Sequence, residues 1–124
     1  MPSNVSTTNL SLDPGKAAET AAALFLQSQG LQIVAHNFRI RGGEIDLICK
    51  ESGTFVFVEV KYRQRSDYGG AVAALSAAQM ARIRRTAQYF LKVQGLNENR
   101  TACRFDLIVV APDGGHCEWL RNAF

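Results

Sequence analysis

The sequence predicts an α/β fold with a mixed central sheet flanked by helices, in the order α-β-β-β-α-β, with a short further strand at the end. Two observations carry this prediction. Residues 14–30 and 76–95 have the composition and periodicity of helices, and three consecutive segments between them are apolar runs typical of strands. Because three strands follow one another between two helices, we expect both faces of the sheet to be covered.

The first half of the chain supplies one helix and three strands. The helix is rich in Ala, opens at Pro14 and ends at Gly30, a residue suited to terminate a helix. Strands are expected next, at residues 31–40, 43–50 and 54–63. The dipeptide Ser52-Gly53 is suited to a two-residue turn, so the second and third strands should form a hairpin.

The second half supplies one helix and two strands. Ser76 and Gln79 have the spacing of a capping box, and Gly95 ends the helical pattern. Residues 103–112 are expected to form a fourth strand and residues 117–120 a short fifth one. The apolar stripe of the second helix consists of Met80, Ile83, Ala87, Phe90 and Leu91.

Length and composition restrict the class of protein. The 124 residues suit one compact domain, which we place at 13–124 behind a flexible polar tail at 1–12. No apolar run approaches the ~18 residues that span a bilayer, and the N-terminus lacks the pattern of a signal peptide. We therefore expect a cytoplasmic protein with no membrane partner. The net charge of +3 and the pI of about 9.0 favour an anionic partner such as nucleic acid.

The three cysteines do not form a recognisable metal site. Cys49 and Cys103 lie inside apolar runs and are expected to pack as small hydrophobic residues. His116 and Cys117 form an isolated pair, whereas a structural zinc site needs four ligands at recognisable spacing.

Four charged residues interrupt the apolar runs of the predicted hairpin. With Ser52-Gly53 as the turn, Asp46 falls opposite Glu59, and Glu44 falls opposite Lys61. The same register places Ile45, Leu47, Cys49, Val56, Val58 and Val60 together on one apolar face. Two facing carboxylates repel each other, so a cation, a raised pKa or Lys61 must offset the repulsion. A structural ion-pair cluster and a divalent metal site both account for this pattern.

The hairpin charges resemble the core of the PD-(D/E)xK nucleases, in which an Asp on one strand is followed on the next by Glu-x-Lys. The segments "GEIDLI", "FVFVEVKYR" and "RFD", with "NFR" upstream and "NAF" at the end, are similar to those of the YraN family of small bacterial endonuclease-like proteins. The likeness runs from about Gly15 to Phe124. It implies a restriction-endonuclease-like fold related to archaeal Holliday-junction resolvases.

The resemblance implies roles for individual residues. Asp46 and Glu59 correspond to the carboxylates that bind Mg²⁺ or Mn²⁺, and Val60 would contribute its main-chain carbonyl. Lys61 corresponds to the motif lysine, which would orient the attacking water or stabilise negative charge in the transition state. Glu19 matches a helical glutamate of the resolvase-like members. In this sequence it shares a helix face with apolar residues, so it either reaches the metal site or is a half-exposed solvated residue.

Three further polar residues have structural explanations. Glu44 is expected to pair with Lys61, and Asp106 with Arg104 on the fourth strand. The family often has Lys at the start of the second helix where this chain has Gln79. The Gln79 side chain could contact a phosphate, but its place in the capping box also explains it.

Basic residues surround the predicted carboxylate cluster. Arg39 and Arg41 precede it, and Arg63 and Arg65 follow it. Such residues suit contacts with a phosphate backbone. On the second helix, one face carries Arg82, Arg85, Tyr89 and Lys92, and this face either binds the backbone or is simply solvated.

These observations predict a metal-dependent endonuclease acting on DNA, with branched or repair intermediates as candidate substrates. A nucleic-acid-binding module without catalysis is the alternative, and an interaction protein with a purely structural cluster is a third reading. Two nicks on a junction would need either a homodimer or two binding events.

Overall fold

The computed structural model describes residues 14–63, 75–112 and 115–124. The predicted tail at 1–12 and the predicted phosphate contact Arg65 lie outside these ranges. The element order is α-β-β-β-α-β-β, as predicted. In chain order the elements are α1 (Pro14–Ser28), β1 (Gln32–Ile40), β2 (Gly43–Glu51), β3 (Thr54–Tyr62), α2 (Ala77–Val93), β4 (Cys103–Val110) and β5 (Cys117–Leu120).

The five strands form one mixed sheet in the order β1-β2-β3-β4-β5. Neighbouring strands are antiparallel except β3 and β4, which are parallel because α2 lies in the connection between them. The helix α1 packs on one face, where Leu47, Cys49, Val56 and Val58 are buried. The helix α2 packs on the other face, over Ile48, Phe55 and Phe57. Both faces are therefore covered, as expected. None of the helices in the described ranges is long and apolar enough to cross a membrane.

Local sequence signals fix the ends of both helices. Gly30 follows α1 with φ of +97°, a left-handed conformation that glycine adopts readily, and Leu31 N–H bonds back to the carbonyl of Leu26 at 3.0 Å. At α2, the Ser76 hydroxyl accepts the Gln79 N–H at 3.0 Å, and the Gln79 side chain accepts the Ser76 N–H at 3.2 Å. The predicted capping box is confirmed.

One face assignment in the hairpin is wrong. Ile45 packs with Ile48 and Phe57 under α2, whereas Leu47, only two residues away, packs under α1. The alternation switches at the level of Asn37 of β1, which adopts a left-handed φ of 48°. The β1–β2 ladder passes from His36↔Leu47 directly to Phe38↔Ile45 across this break. The residue of β2 that lies at the break is Asp46.

The tip of the β1–β2 hairpin lies directly against α2. Gly43 has no room for a side chain, because a Cβ there would collide with the hydroxyl of Thr86. That hydroxyl is itself held, since it donates to the carbonyl of Arg82 at 2.8 Å. Only glycine permits this approach, which brings the hairpin tip next to the basic face of α2.

A buried carboxylate anchors the C-terminal segment to the sheet. Asp106 is fully buried, and its oxygens accept from Arg104 Nε at 3.1 Å, Trp119 Nε1 at 2.9 Å and the Asn122 N–H at 2.8 Å. The predicted Arg104–Asp106 pair is confirmed. Arg104 also contacts Glu51 at 2.7 Å, and this hydrogen bond lowers the pKa of Glu51. The network therefore links β4, β5 and the end of β2.

The two cysteines of the apolar runs pack in the interior as expected. Cys49 is buried among the side chains under α1, and burial raises the pKa of its thiol to about 12. Cys103 is partly buried on the α2 side, where burial also raises its pKa. Neither thiol is suited to act as a thiolate at neutral pH.

Candidate metal centre

The candidate site lies where β2 and β3 part. Their ladder follows the predicted register from Glu51↔Thr54 to Leu47↔Val58, which is its last pair. One residue further, Asp46 turns its carboxylate into the gap, and its Oδ2 accepts the main-chain N–H of Val60 at 2.8 Å. The strand β3 continues in register with β4, with Glu59 beside Leu107. The gap therefore opens between β2, which pairs with β1 on its other side, and β3, which pairs with β4.

The main chain of Val60 is directed toward the same gap. The N–H and C=O groups of one strand residue point to the same edge of the strand. Because the Val60 N–H bonds to Asp46, its carbonyl also lies on the β2 side. This orientation matches the role that the sequence resemblance implies for that carbonyl.

The carboxyl groups of Asp46 and Glu59 are coupled through a hydrogen bond between their side chains, which acts to raise the pKa of Glu59 and to lower that of Asp46. The pKa of Glu59 is raised to about 8, first by burial and then by the charge of Asp46, while the charge of Lys61 opposes the rise. The pKa of Asp46 is also raised, mainly by burial, and the Val60 N–H opposes that rise. At neutral pH the metal-free pair therefore retains a proton that an ordinary pair of carboxylates would have released.

Glu19 lies close enough to this pair for its charge to raise the pKa of Asp46. Its own carboxylate accepts a hydrogen bond from Asn37 Nδ2 at 3.1 Å, so it is held against the sheet by the residue that breaks β1. Sequence reasoning missed Asn37. The available signal was an Asn inside an apolar strand, because Asn is depleted in strands and enriched at left-handed positions.

The expected pairing of Glu44 with Lys61 is wrong. Glu44 lies opposite Arg39 in the β1–β2 ladder, and Arg39 Nε contacts its Oε2 at 3.1 Å. Since β2 and β3 separate before Glu44, the pairing partner comes from β1 instead. In the part of the chain that the structure describes, Lys61 forms no ion pair within 4.0 Å. Its ammonium group is thus available at the site.

The donor set is small. The described ranges contain no group of three or more His, Cys, Asp or Glu side chains positioned to hold a metal ion. The gap offers the carboxylates of Asp46 and Glu59 and the carbonyl of Val60. These hard oxygen donors fit Mg²⁺, which typically takes one or two carboxylates and completes its octahedral shell with waters and substrate phosphate oxygens.

The flanking arginines occupy different positions. Arg39 is 71% exposed although it is paired with Glu44, and Arg41 is exposed in the hairpin turn. Arg63 leaves the end of β3 and binds Glu118 of β5 at 3.2 Å. Of these three, Arg39 and Arg41 lie at the hairpin tip that adjoins the carboxylates, whereas Arg63 is engaged by another strand.

The basic face of α2 consists of Arg82, Arg85, Tyr89 and Lys92, all of which are exposed. Its opposite side buries Ile83, Ala87, Phe90 and Leu91, as the periodicity predicted, and Met80 packs at the edge of the core. Gln79 does not belong to the exposed face, because its side-chain oxygen is used in the helix cap.

Comparison with known proteins gives one family. The model of the family described as "Uncharacterised protein family UPF0102" matches residues 18–110. A UPF0102 protein of Shewanella sediminis (strain HAW-EB3) is 46% identical over 93% of this chain and 94% of its own length. A UPF0102 protein of Shewanella halifaxensis (strain HAW-EB4) is 49% identical over 89% of this chain and 93% of its own length. A UPF0102 protein of Colwellia psychrerythraea (strain 34H / ATCC BAA-681) is 42% identical over 92% of this chain and 90% of its own length.

Proposed function

The chain belongs to the uncharacterised protein family UPF0102, and we propose that it is a Mg²⁺-dependent endonuclease that hydrolyses phosphodiester bonds in DNA. Branched DNA and repair intermediates are the candidate substrates. The observation that carries the proposal is the pair of half-buried carboxylates, Asp46 and Glu59, at the gap between β2 and β3. Two ionised carboxylates would repel each other at this gap, so the metal-free pair retains a proton, and a divalent cation would take the place of that proton.

Each residue at the gap has a distinct task in this proposal. Asp46 and Glu59 bind the cation, Val60 adds its carbonyl, and Glu19 contributes a further negative charge behind Asp46. A bound Mg²⁺ supplies Lewis-acid polarisation of the scissile phosphate. Lys61 either orients the attacking water or stabilises the negative charge that develops on the phosphate oxygens. The Val60 N–H fixes one oxygen of Asp46 and leaves the other for ligation.

A nicking assay across a panel of DNA structures tests the proposal. The panel should include linear duplex, nicked, forked and four-way junction substrates, each with Mg²⁺, Mn²⁺ or EDTA. We expect cleavage that requires a divalent cation and is lost in Asp46→Asn. A protein that binds these DNAs but cleaves none of them under any of these conditions would be a binding module, and the endonuclease proposal would fail.

Lys61→Ala separates chemistry from binding. The variant should lose cleavage, retain metal binding in a calorimetric titration and bind DNA only modestly more weakly, because a single phosphate contact is lost. Cleavage at the wild-type rate would show that Lys61 has no chemical role, or that a contaminating nuclease produces the activity.

The salt dependence of binding tests the basic face of α2. Each neutralised phosphate on duplex DNA contributes roughly 0.9 to the slope of log K against log salt. Replacing Arg82, Arg85 and Lys92 with Ala leaves the buried side of α2 intact and retains good helix formers. If all three contact the backbone, the slope should fall by about two to three. An unchanged slope would mean that this face is only solvated.

A further inference from the structure

We propose that a groove along α2 binds an unpaired nucleotide of a DNA strand, with the Tyr89 ring as the platform on which the base stacks. The inference rests on the proposed function, since it takes DNA as the substrate. It goes further by assigning the substrate class: DNA that carries a single-stranded segment next to the position that is cut.

The groove lies between the C-terminal half of α2, the segment that follows it and the β1–β2 hairpin. Its volume is about 480 Å³, within the range of roughly 300–1,000 Å³ that is usual for small-ligand sites. Residues from three parts of the chain line it: Ile40, Arg85, Tyr89, Lys92, Leu96 and Glu98.

Tyr89 supplies an aromatic surface at the wall of this groove. Tyr89 is 49% exposed, whereas Phe90, the other aromatic residue of α2, is buried. The Phe38 ring lies 6.5 Å away, centroid to centroid, at an interplanar angle of 33°, and so supports one side of Tyr89. A base in a duplex has both faces covered by its neighbours, whereas an unpaired base offers a free face. Base stacking on aromatic side chains contributes about 1–3 kcal/mol per base.

The charges in the groove are arranged for a nucleotide rather than for a phosphate alone. Arg85 and Lys92 are one turn to either side of Tyr89, where they suit the phosphates that flank a stacked base. Glu98 also lines the groove, and its Oε2 accepts from Gln88 Nε2 at 3.4 Å. The Glu98 carboxylate disfavours phosphate at that wall, and together with the Gln88 amide it suits the donors and acceptors of a base edge.

The hairpin tip connects this groove to the carboxylates. Ile40, the last residue of β1, lines the groove, and Gly43 across the turn abuts α2 at Thr86. The next residue, Glu44, lies close enough to the site for its charge to raise the pKa of both Asp46 and Glu59. The groove and the carboxylate pair therefore border the same hairpin tip, and a strand held in the groove has a short path over it.

The test compares single-stranded DNA with duplex DNA in EDTA, so that binding is measured without cleavage. A single-stranded oligonucleotide carrying 2-aminopurine reports stacking through fluorescence quenching, and anisotropy gives the affinity. Tyr89→Phe keeps the ring, and Tyr89→Leu keeps an apolar contact with Phe38 but removes the stacking face. We expect Tyr89→Leu to weaken single-strand binding roughly 5- to 150-fold, with duplex binding nearly unchanged, and Tyr89→Phe to resemble the wild type.

The possible results distinguish failure of the stacking platform from failure of the endonuclease proposal. Equal single-strand affinity in Tyr89→Leu and the wild type, with no quenching of 2-aminopurine in either, would remove the stacking platform but leave the endonuclease proposal intact. Selective single-strand binding that depends on the Tyr89 ring, in a protein that never cleaves, would uphold the groove and refute the nuclease. A wild-type protein that binds neither form of DNA would refute both.

Discussion

The replacement Glu59→Gln tests whether the carboxylate pair costs the metal-free protein stability. Glutamine has nearly the same shape as glutamate but cannot ionise, so the substitution removes the repulsion with Asp46 and leaves the packing of β3 in place. The sign follows from the raised pKa of Glu59. Between its ordinary value of 4.5 and about 8, the folded state binds more protons than the unfolded state. The stability that Glu59 contributes to the folded state is therefore fully present below pH 4.5 and is lost as the pH rises through 8.

The size of the effect follows from the same pKa. At about 1.36 kcal/mol per pKa unit, raising the pKa of Glu59 from 4.5 to about 8 corresponds to roughly 5 kcal/mol in the free energy of unfolding, before screening by solvent is considered. Glu59 is only partly buried, and water that enters the gap reduces the effective loss to about 1–2 kcal/mol. One kcal/mol shifts the melting temperature of a domain of this size by roughly 3–6 °C. We therefore expect the melting temperature of the metal-free wild type to fall between pH 5.5 and pH 8.5 by several degrees more than that of Glu59→Gln.

Thermal melts of both proteins in EDTA, from pH 5 to 9, provide the assay. Glu98→Gln, on the exposed segment after α2, is the matched control for loss of a glutamate charge. Adding Mn²⁺ at about ten times its dissociation constant should then stabilise the wild type by roughly 1.4 kcal/mol and leave Glu59→Gln unchanged. Melting temperatures that change with pH in the same way in wild type and Glu59→Gln would refute the reasoning, because the pKa of Glu59 would then not be raised in the folded protein.

Three other predictions, two from substitutions and one from chemical labelling, test the structure around the site. Asp106→Asn should destabilise the fold by roughly 3–5 kcal/mol, measured by urea unfolding, because it removes the buried charge to which Arg104, Trp119 and the Asn122 N–H donate. Gly43→Ala should cost about 1–3 kcal/mol through overpacking against Thr86, and the double variant with Thr86→Ala should recover part of that loss, which a double-mutant cycle measures. Cys49 should resist alkylation in the native protein at pH 8 and react after unfolding, as peptide mass mapping would show; native labelling at the rate of Cys103 would contradict its burial.

Sequence patterns predicted the elements because each signal was local. The capping box at Ser76, the turn at Ser52-Gly53 and the stop at Gly30 act within a few residues, and all three operate as expected. The β2–β3 register also followed from its turn. The break at Asn37 could not be predicted in the same way, because alternation is a rule for regular strands and one left-handed residue cancels it.

The partner of each charge was harder to predict than its position. Counting along the hairpin placed Glu44 opposite Lys61, but that count assumed that the two strands stay paired. They part after Leu47 and Val58, so Glu44 pairs with Arg39 of the other neighbouring strand, and Lys61 forms no ion pair within residues 14–63, 75–112 and 115–124. The groove at Tyr89 was also beyond the sequence, because it depends on how the hairpin tip and α2 meet in space.

Two aspartates of this sheet show why the carboxylate pair is unlike a structural cluster. Asp106 is completely buried, yet an arginine, an indole and a main-chain N–H all donate to it, so its desolvation is compensated. Asp46 is less buried and accepts one main-chain N–H, its side chain is hydrogen-bonded to that of Glu59, and the charges of Glu19 and Glu44 raise its pKa. Evolution toward stability alone would have supplied Asp46 with donors, as the same fold does for Asp106. A site that holds two carboxyl groups together with a retained proton, next to the charges of Glu19 and Glu44, is suited to a cation that displaces the proton, which is why metal binding at Asp46 and Glu59 is the first property to measure.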